Sequence, residues 1–234
     1  MPETMPETMP ETMRYYHELF ENNRKWAEGI RQADPTYFER RAAGQEPHFL
    51  FIGCCDSRVP TELLTAAKPG EIFTHRNIAN QVHPTDLNLL SVLEYAVEFL
   101  DVNHVIVCGH YNCGGVKGAM GPAGHGVVDH WLHVVRDVNR WHADELSQLE
   151  PDARFRRLVE LNVVEQVFQL TRTPIVQRAW ARGRRPILSG LVYDLNDGLL
   201  REMVAGIDGE DKAREMREKV TGPSSAEKPL AAVS

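Results

Sequence analysis

Three short, mostly apolar segments, each long enough for one buried strand, set the architecture of this chain. They are HFLFIG (48–53), EIFTH (71–75) and HVIVCG (104–109). Short apolar runs of this kind are typical of strands that are covered on both faces. DLNLLSVLEYAVEFL (86–100) repeats apolar residues at helical spacing behind a capping residue, Asp86. The order of these elements predicts an α/β fold with a mostly parallel β-sheet flanked by helices.

The remaining segments predict further helices, one late strand and two tails. Helical periodicity covers 13–33, 127–147 and 152–172, and ILSGLVYDL (187–195) is typical of a strand. The repeat MPETMPETMPETM predicts a flexible tail or a remnant of cloning at 1–13. We expect a single domain over 14–207. Residues 208–234 are charged and then rich in Pro, Ser and Ala, which predicts a helical fragment that fades into a partly disordered tail.

The composition argues against several classes of function. The chain has 234 residues, 42% of them hydrophobic and 25% charged, and a net charge of -7 without a basic block. A nucleic-acid partner is therefore not expected. No apolar run approaches the roughly 18 residues of a membrane span, and the first residues do not resemble a secretory signal. We expect a cytoplasmic location, no membrane partner and a small uncharged or anionic metabolite as ligand.

Three side chains are candidates for one metal site. The four cysteines lie at 54, 55, 108 and 113, which in a reducing compartment favours metal binding or a reactive thiol over disulfides. Cys54 and His110 each follow a predicted strand, where ligands of parallel sheets gather. Cys113 stands three positions after His110, so one turn can bring both onto one ion. Two thiolates and an imidazole suit zinc, with a fourth position free to activate water.

Asp56 and Arg58 predict a supporting pair beside this site. Two thiolates already neutralise a divalent ion, so a water on it would be less acidic and a nearby acceptor more important. Asp56 fits that role, and Arg58 can hold its carboxylate by a two-pronged hydrogen bond. Spacing favours Cys54 over Cys55 as the ligand, since adjacent side chains point to opposite sides, but leaves Cys55 open. Cys108, inside an apolar strand, is expected to be a small buried hydrophobe.

Taken together, these motifs resemble the signature of the β-class carbonic anhydrases. The signature consists of Cys54-x-Asp56-Ser57-Arg58 and, 56 positions after Cys54, His110-x-x-Cys113. The surrounding sequence is similar as well, and the resemblance extends from about residue 14 to about residue 205. It includes Arg58-Val-Pro, PGEIFTHRNIAN (69–80), SVLEYAV (91–97) and VIVCGHYNCGGVKGAM (105–120). This two-part match is far more specific than a lone Cys-x-x-Cys.

The resemblance implies zinc-dependent, reversible hydration of carbon dioxide to bicarbonate and a proton by zinc-bound hydroxide. Cys54, His110 and Cys113 would hold Zn2+, while Asp56 and Arg58 would orient the hydroxide or help to remove a proton. Gln45, from the subunit boundary, and Gly114 would line the substrate cleft. The family also implies a homo-oligomer, a dimer or a dimer of dimers, in which residues 14–33 embrace a partner subunit.

The segment HRNIANQV (75–82) and Tyr193 resemble a pH-switching group within this family. In that group the aspartate of the first motif closes the zinc site as a fourth ligand, and bicarbonate bound away from the zinc stabilises the closed state. The resemblance places this anion pocket at Phe51, Gly53, Val59, Arg76 and Tyr193. Members of the group usually have tryptophan where this chain has Phe51, which lacks the indole N–H donor.

Two other functions compete with the hydration of carbon dioxide. The same hydroxide could hydrolyse a related linear substrate such as carbon disulfide or carbonyl sulfide, and substrate access would decide between them. A structural zinc module or a non-catalytic bicarbonate sensor is the third hypothesis, but it would need neither Asp56 nor Arg58. His130, His133 and His142 are expected to be solvated or capping residues on a helix, because no acid or cysteine stands at a spacing that would complete a metal site.

Overall fold

The computed structural model describes residues 10–124, 126–183 and 185–221, in two compact units that divide after Gln45. The N-terminal unit consists of helices α1 (Glu11–Ala33) and α2 (Tyr37–Ala42). The predicted helix over 13–33 therefore begins two residues early and ends at its predicted stop, Asp34. None of the α1 residues is buried. Most of the tail predicted over 1–13 lies outside the described residues.

The second unit is built on a five-stranded sheet. Its strands are β1 (Phe49–Cys54), β2 (Ile72–Asn77), β3 (His104–His110), β4 (Ile187–Tyr193) and β5 (Leu200–Ile207). Their order across the sheet is β2-β1-β3-β4-β5. The first four are parallel and β5 pairs antiparallel with β4. The fold class predicted from the sequence is confirmed.

Nine helices of the second unit flank this sheet within the described residues. They are α3 (Thr61–Thr65), α4 (Leu87–Glu94), α5 (Gly114–Met120), α6 (Val127–Trp131), α7 (His133–Trp141), α8 (Ala143–Ser147), α9 (Pro151–Thr171), α10 (Pro174–Ala181) and α11 (Glu210–Thr221). Asp86 caps α4 as predicted, because its side chain accepts from the backbone N–H of Asn88 at 3.0 Å. No described helix has the length and apolar character that a membrane span requires.

Helix α9 forms the centre of the core. Most of its residues from Leu158 onwards are buried, many of them fully. It packs closely on β3 and β4, where a side chain at Gly190 would place its Cβ 2.8 Å from Val163 and 3.0 Å from Val167. Glycine is therefore required at this point of the strand.

Three sequence predictions of secondary structure were incomplete or wrong. The helix expected over 127–147 is three short helices, with breaks at Leu132 and His142. Strand β5 and helix α10 were not predicted. The helical fragment expected after 207 is α11, but it is not loose, because Ala213, Met216 and Val220 pack against the core. Residues 222–234 lie outside the described residues.

Candidate metal centre and active site

The predicted ligands meet where the chain changes direction within the sheet. From β1 the chain runs outwards to β2 and then returns on the other side of β1 to form β3. In open parallel sheets, ligands bind beyond the carboxyl ends of the strands at such a point. Cys54 is the last residue of β1 and His110 the last of β3, while Cys113 is the residue before α5.

Cys54, His110 and Cys113 form a buried donor set. One ligand atom from each lies within 4.8 Å of the others, and the two sulfur atoms are 3.9 Å apart. The Nδ1 of His110 lies 2.9 Å from the carbonyl oxygen of Tyr111, so Nδ1–H donates there and Nε2 carries the lone pair. Nε2 is buried and has no hydrogen-bond partner among the described residues. Because buried polar atoms are normally paired, this nitrogen and the two sulfurs fit a soft or borderline metal ion.

The thiols of Cys54 and Cys113 form one hydrogen bond. This bond lowers the pKa of Cys54, against the effect of burial. The same hydrogen bond raises the pKa of Cys113, and burial adds to this effect. The lowered pKa of Cys54 favours its thiolate, which is the form of cysteine that binds metals.

Asp56 and Arg58 form the predicted two-pronged pair at the edge of this donor set. Arg58 donates from Nε to Oδ1 at 2.9 Å and from Nη2 to Oδ2 at 2.7 Å, and its backbone N–H donates to Oδ1 at 3.0 Å. These bonds hold the pKa of Asp56 well below its usual range, although burial opposes this. The Oδ2 of Asp56 is 3.7 Å from Nε2 of His110. An ionised acceptor thus lies beside the donor set with its orientation fixed.

The residues of the predicted anion pocket lie around β1, but Arg76 is engaged elsewhere. Phe51 and Val59 are buried, and Gly53 is the strand partner of Arg76. The guanidinium of Arg76 donates to the carbonyl oxygens of Cys54 at 2.8 Å and of Asp56 at 2.7 Å. Arg76 therefore braces the loop that follows β1. Bicarbonate binding at this pocket stays a prediction.

The other predicted positions have simpler surroundings. Tyr193 is paired with His110 across β3 and β4, and its carbonyl accepts from Tyr111 N–H at 3.0 Å. Gly114 begins α5, and a Cβ there would meet no atom within 4 Å, so its face is open. Gln45 is exposed at the end of the N-terminal unit. The roles of Gln45 and Gly114 in a substrate cleft stay predictions.

The structure distinguishes the four cysteines. Cys54 belongs to the donor set, whereas Cys55 is exposed, as the spacing indicated. Cys108 is buried, and burial raises the pKa of its thiol to about 12, which keeps it protonated.

His142 occupies the cap position between α7 and α8, one of the two roles expected for it, but it is not solvated. It is largely buried, and its Nε2 lies 3.2 Å from Oε1 of the buried Glu165 on α9. Its Nδ1 lies 3.9 Å from Oε2 of Glu145, three positions further along the chain. His142 thus connects the break between α7 and α8 to α9. Glu165 stands 23 positions away, where no nearby spacing could indicate it.

The turn Ile78–Asn80, which follows β2, was not predicted from the sequence. It lies on the first turn of α5, where a Cβ at Gly115, two residues after Cys113, would lie 3.1 Å from Ala79. Asn162 and Gln166, on the buried face of α9, contact this turn and the residues that follow it. Their spacing of four, in a run of apolar residues, was the signal that could have indicated them.

Comparisons with known proteins agree with this geometry. A family profile described as "Carbonic anhydrase" matches residues 49–200. The carbonic anhydrase of Emericella nidulans is 47% identical over 189 residues, which cover 80% of this chain and 83% of that protein. The carbonic anhydrase of Saccharomyces cerevisiae is 35% identical over 193 residues, or 79% and 86% of the two chains.

Solved structures give the same result for the fold. The β-carbonic anhydrase of Coccomyxa, solved in complex with acetazolamide, superposes with a TM-score of 0.82 and 43% identity over 85% of this chain and 90% of that one. A tetrameric β-carbonic anhydrase of the ascomycete Sordaria macrospora gives a TM-score of 0.78 and 38% identity over 82% and 98%.

Proposed function

Because this chain belongs to the β-class carbonic anhydrases and catalyses the reversible hydration of carbon dioxide to bicarbonate, we propose that its cofactor is a zinc ion held by Cys54, His110 and Cys113. The observation that supports this most directly is the buried Nε2 of His110, which has no hydrogen-bond partner in the described part of the chain, beside two sulfur atoms 3.9 Å apart. Two thiolates and one imidazole suit zinc and leave a fourth position for water or substrate. Bound there, zinc would supply the Lewis acidity that makes a water molecule nucleophilic near neutral pH.

We assign Asp56 the orientation of the reacting hydroxyl group. Its carboxylate is ionised and fixed by Arg58, so it can accept a hydrogen bond from that hydroxyl and leave an oxygen lone pair directed at the carbon of CO2. Arg58 holds the carboxylate beside the donor set, with its Oδ2 3.7 Å from Nε2 of His110. In the closed state of the pH-switching group Asp56 would have to leave Arg58. This switch stays a prediction.

We propose further that the enzyme is a homo-oligomer built from dimers. The relatives from Sordaria macrospora are tetrameric. On α1, the large apolar side chains of Tyr16, Leu19, Phe20 and Trp26 are each at least half exposed. Exposed apolar surface of this kind is typical of a face that binds another protein. Light scattering coupled to size exclusion should give the mass of a dimer or tetramer, and a monomer at micromolar concentration would refute the proposal.

The test of the catalytic proposal is stopped-flow CO2 hydration with a pH indicator, together with metal analysis. Protein purified under reducing conditions should contain one zinc per chain and hydrate CO2 at alkaline pH. Asp56→Ala should keep the zinc and lose most of the activity. Absence of stoichiometric zinc, or full activity in Asp56→Ala, would contradict the proposal.

A further inference from the structure

Two buried amides on α9 have no part in the chemistry described so far. Asn162 and Gln166 are 1% and 0% exposed, one helical turn apart, among apolar neighbours of the central helix. Burying an amide is unfavourable unless it is hydrogen-bonded. A helix that needed only to cover the sheet would have apolar side chains at these positions. The partners of the two amides therefore indicate why they are present.

Both amides are directed at the segment that follows β2. Asn162 Nδ2 donates to the carbonyl oxygen of Ala79 at 3.1 Å, and Gln166 Oε1 accepts from the backbone N–H of Val82 at 2.8 Å. The side chain of Gln81 completes the contact, because its Nε2 donates to Asn162 Oδ1 at 3.0 Å. Gln166 Nε2 donates to the same oxygen at 3.2 Å. All four polar atoms of Asn162 and Gln166 are thus used.

The held segment has an unfavourable backbone conformation. Ala79 and Asn80 have φ values of 62° and 49°, two consecutive residues in the left-handed region. Non-glycine residues adopt this conformation only where surrounding contacts impose it. The hydrogen bonds from α9 hold the carbonyl oxygen inside the pair, at Ala79, and the backbone N–H two residues beyond it, at Val82, so they are placed to impose this conformation.

The same segment contacts the surroundings of two metal ligands. The carbonyl oxygen of Asn77, immediately before the turn, accepts from the backbone N–H of the residue after Cys54 at 3.0 Å. The turn itself lies on the first turn of α5, immediately after Cys113, where a Cβ at Gly115 would lie 2.8 Å from Ile78 and 3.1 Å from Ala79. A shift of the turn would therefore alter the hydrogen bond beside Cys54 and the packing beside Cys113 together.

We propose that Asn162 and Gln166 are positioning residues of the metal centre, which hold the turn Ile78–Asn80 against the segments that carry the ligands Cys54 and Cys113. This inference depends on the zinc site proposed above. Groups that hydrogen-bond to metal ligands fix their orientation, and their removal commonly lowers metal affinity about 10–100-fold. The side chains of Asn162 and Gln166 do not bond to the metal ligands themselves. They act through the backbone of the turn to which they are hydrogen-bonded.

The experiment measures zinc release to an excess of chelator from zinc-loaded Asn162→Leu and Gln166→Met, which keep side-chain size and remove the hydrogen bonds. Zinc should leave both variants at least about tenfold faster than wild type. In the cobalt-substituted proteins the thiolate-to-metal absorption band should shift. If Asn162→Leu does not fold, as judged by circular dichroism, Gln81→Met removes a donor of the same network from the turn itself and replaces it in the test.

Thr171→Val is the matched control, because its buried hydroxyl on α9 bonds only within the helix, to Phe168 O at 2.8 Å. It should release zinc within about twofold of the wild-type rate and leave the cobalt band unchanged. Release within twofold of wild type from both amide variants would overturn the positioning role, as would equal acceleration in the control. If the wild-type protein itself contained no stoichiometric zinc, both the proposed zinc site and this inference would be wrong.

Discussion

Removal of the guanidinium of Arg58 should abolish most of the CO2 hydration activity while leaving the metal site and the fold intact. Arg58→Ala deletes two of the three hydrogen bonds that fix the carboxylate of Asp56, those from Nε at 2.9 Å and from Nη2 at 2.7 Å. Only the bond from the backbone N–H, at 3.0 Å, remains. A carboxylate held at one oxygen can rotate, so it no longer presents a fixed acceptor to the reacting hydroxyl.

The loss of activity expected in Arg58→Ala comes from the lost orientation of the Asp56 carboxylate and not from a change in its protonation. Arg58 lowers the pKa of Asp56, so in Arg58→Ala this pKa rises towards its unperturbed value of 3.8, still far below the pH of an alkaline assay. Asp56 therefore stays ionised. Loss of one oriented hydrogen-bonding group in an active site typically reduces turnover by about 10²–10³-fold. Because one of the three bonds remains, we expect a fall in kcat/KM near the lower end, about 10²-fold.

The assay is stopped-flow hydration at alkaline pH with zinc content measured on the same samples. Arg58→Lys keeps the positive charge but not the planar pair of N–H donors, and it should give an intermediate rate of hydration. Arg178→Ala serves as the control, because Arg178 forms an exposed ion pair with Glu94 at 2.8 Å, and it should keep the wild-type rate. Thermal unfolding should change little in all three variants, since exposed ion pairs contribute little to stability. If Arg58→Ala kept more than about a third of wild-type kcat/KM at equal zinc content, the role given to the pair would be wrong.

Three further predictions concern the ligands, the packing and the pH dependence of stability. Cys113→Ser should lose both bound zinc and activity. Cys108→Ser alters a buried thiol outside the donor set and should keep both. Equal zinc content in the two variants would refute the ligand assignment. Gly109→Ala should lower the free energy of unfolding in urea by about 1–3 kcal/mol, because the new Cβ would lie 2.6 Å from Val163; an unchanged midpoint would contradict the packing. Burial favours the neutral form of Glu165, but its histidine and arginine partners outweigh this and hold its pKa below the usual 4.5. Its contribution to stability is thus complete above that pH and is lost as the pH falls. The destabilisation in Glu165→Gln should be larger at about pH 7 than at about pH 3, and an equal loss at both would oppose this reasoning.

The elements that the sequence predicted correctly are those with a local signal. The strands at 48–53, 71–75 and 104–109 were recognisable because each is a short apolar run, and Asp86 because a cap acts within one helical turn. The helix over 127–147 was predicted as continuous because no glycine or proline interrupts this segment. It breaks at Leu132 and at His142, and His142 bonds to Glu165 on another helix. Strand β5 was missed because it is a partly exposed edge strand, and its alternation is interrupted by bulges against β4.

The atoms that can hold the metal, and the acid and base beside them, could be identified from residue type at short spacing. Cys54, Asp56 and Arg58 lie within five positions, and His110 and Cys113 within four. That these two groups meet where the strand order reverses is a result of the folded topology. The contact of Asn162 with a turn more than 80 positions earlier in the chain is likewise a result of folding. Such contacts depend on how helices pack on the sheet, and side-chain packing between distant segments leaves no fixed spacing in the sequence.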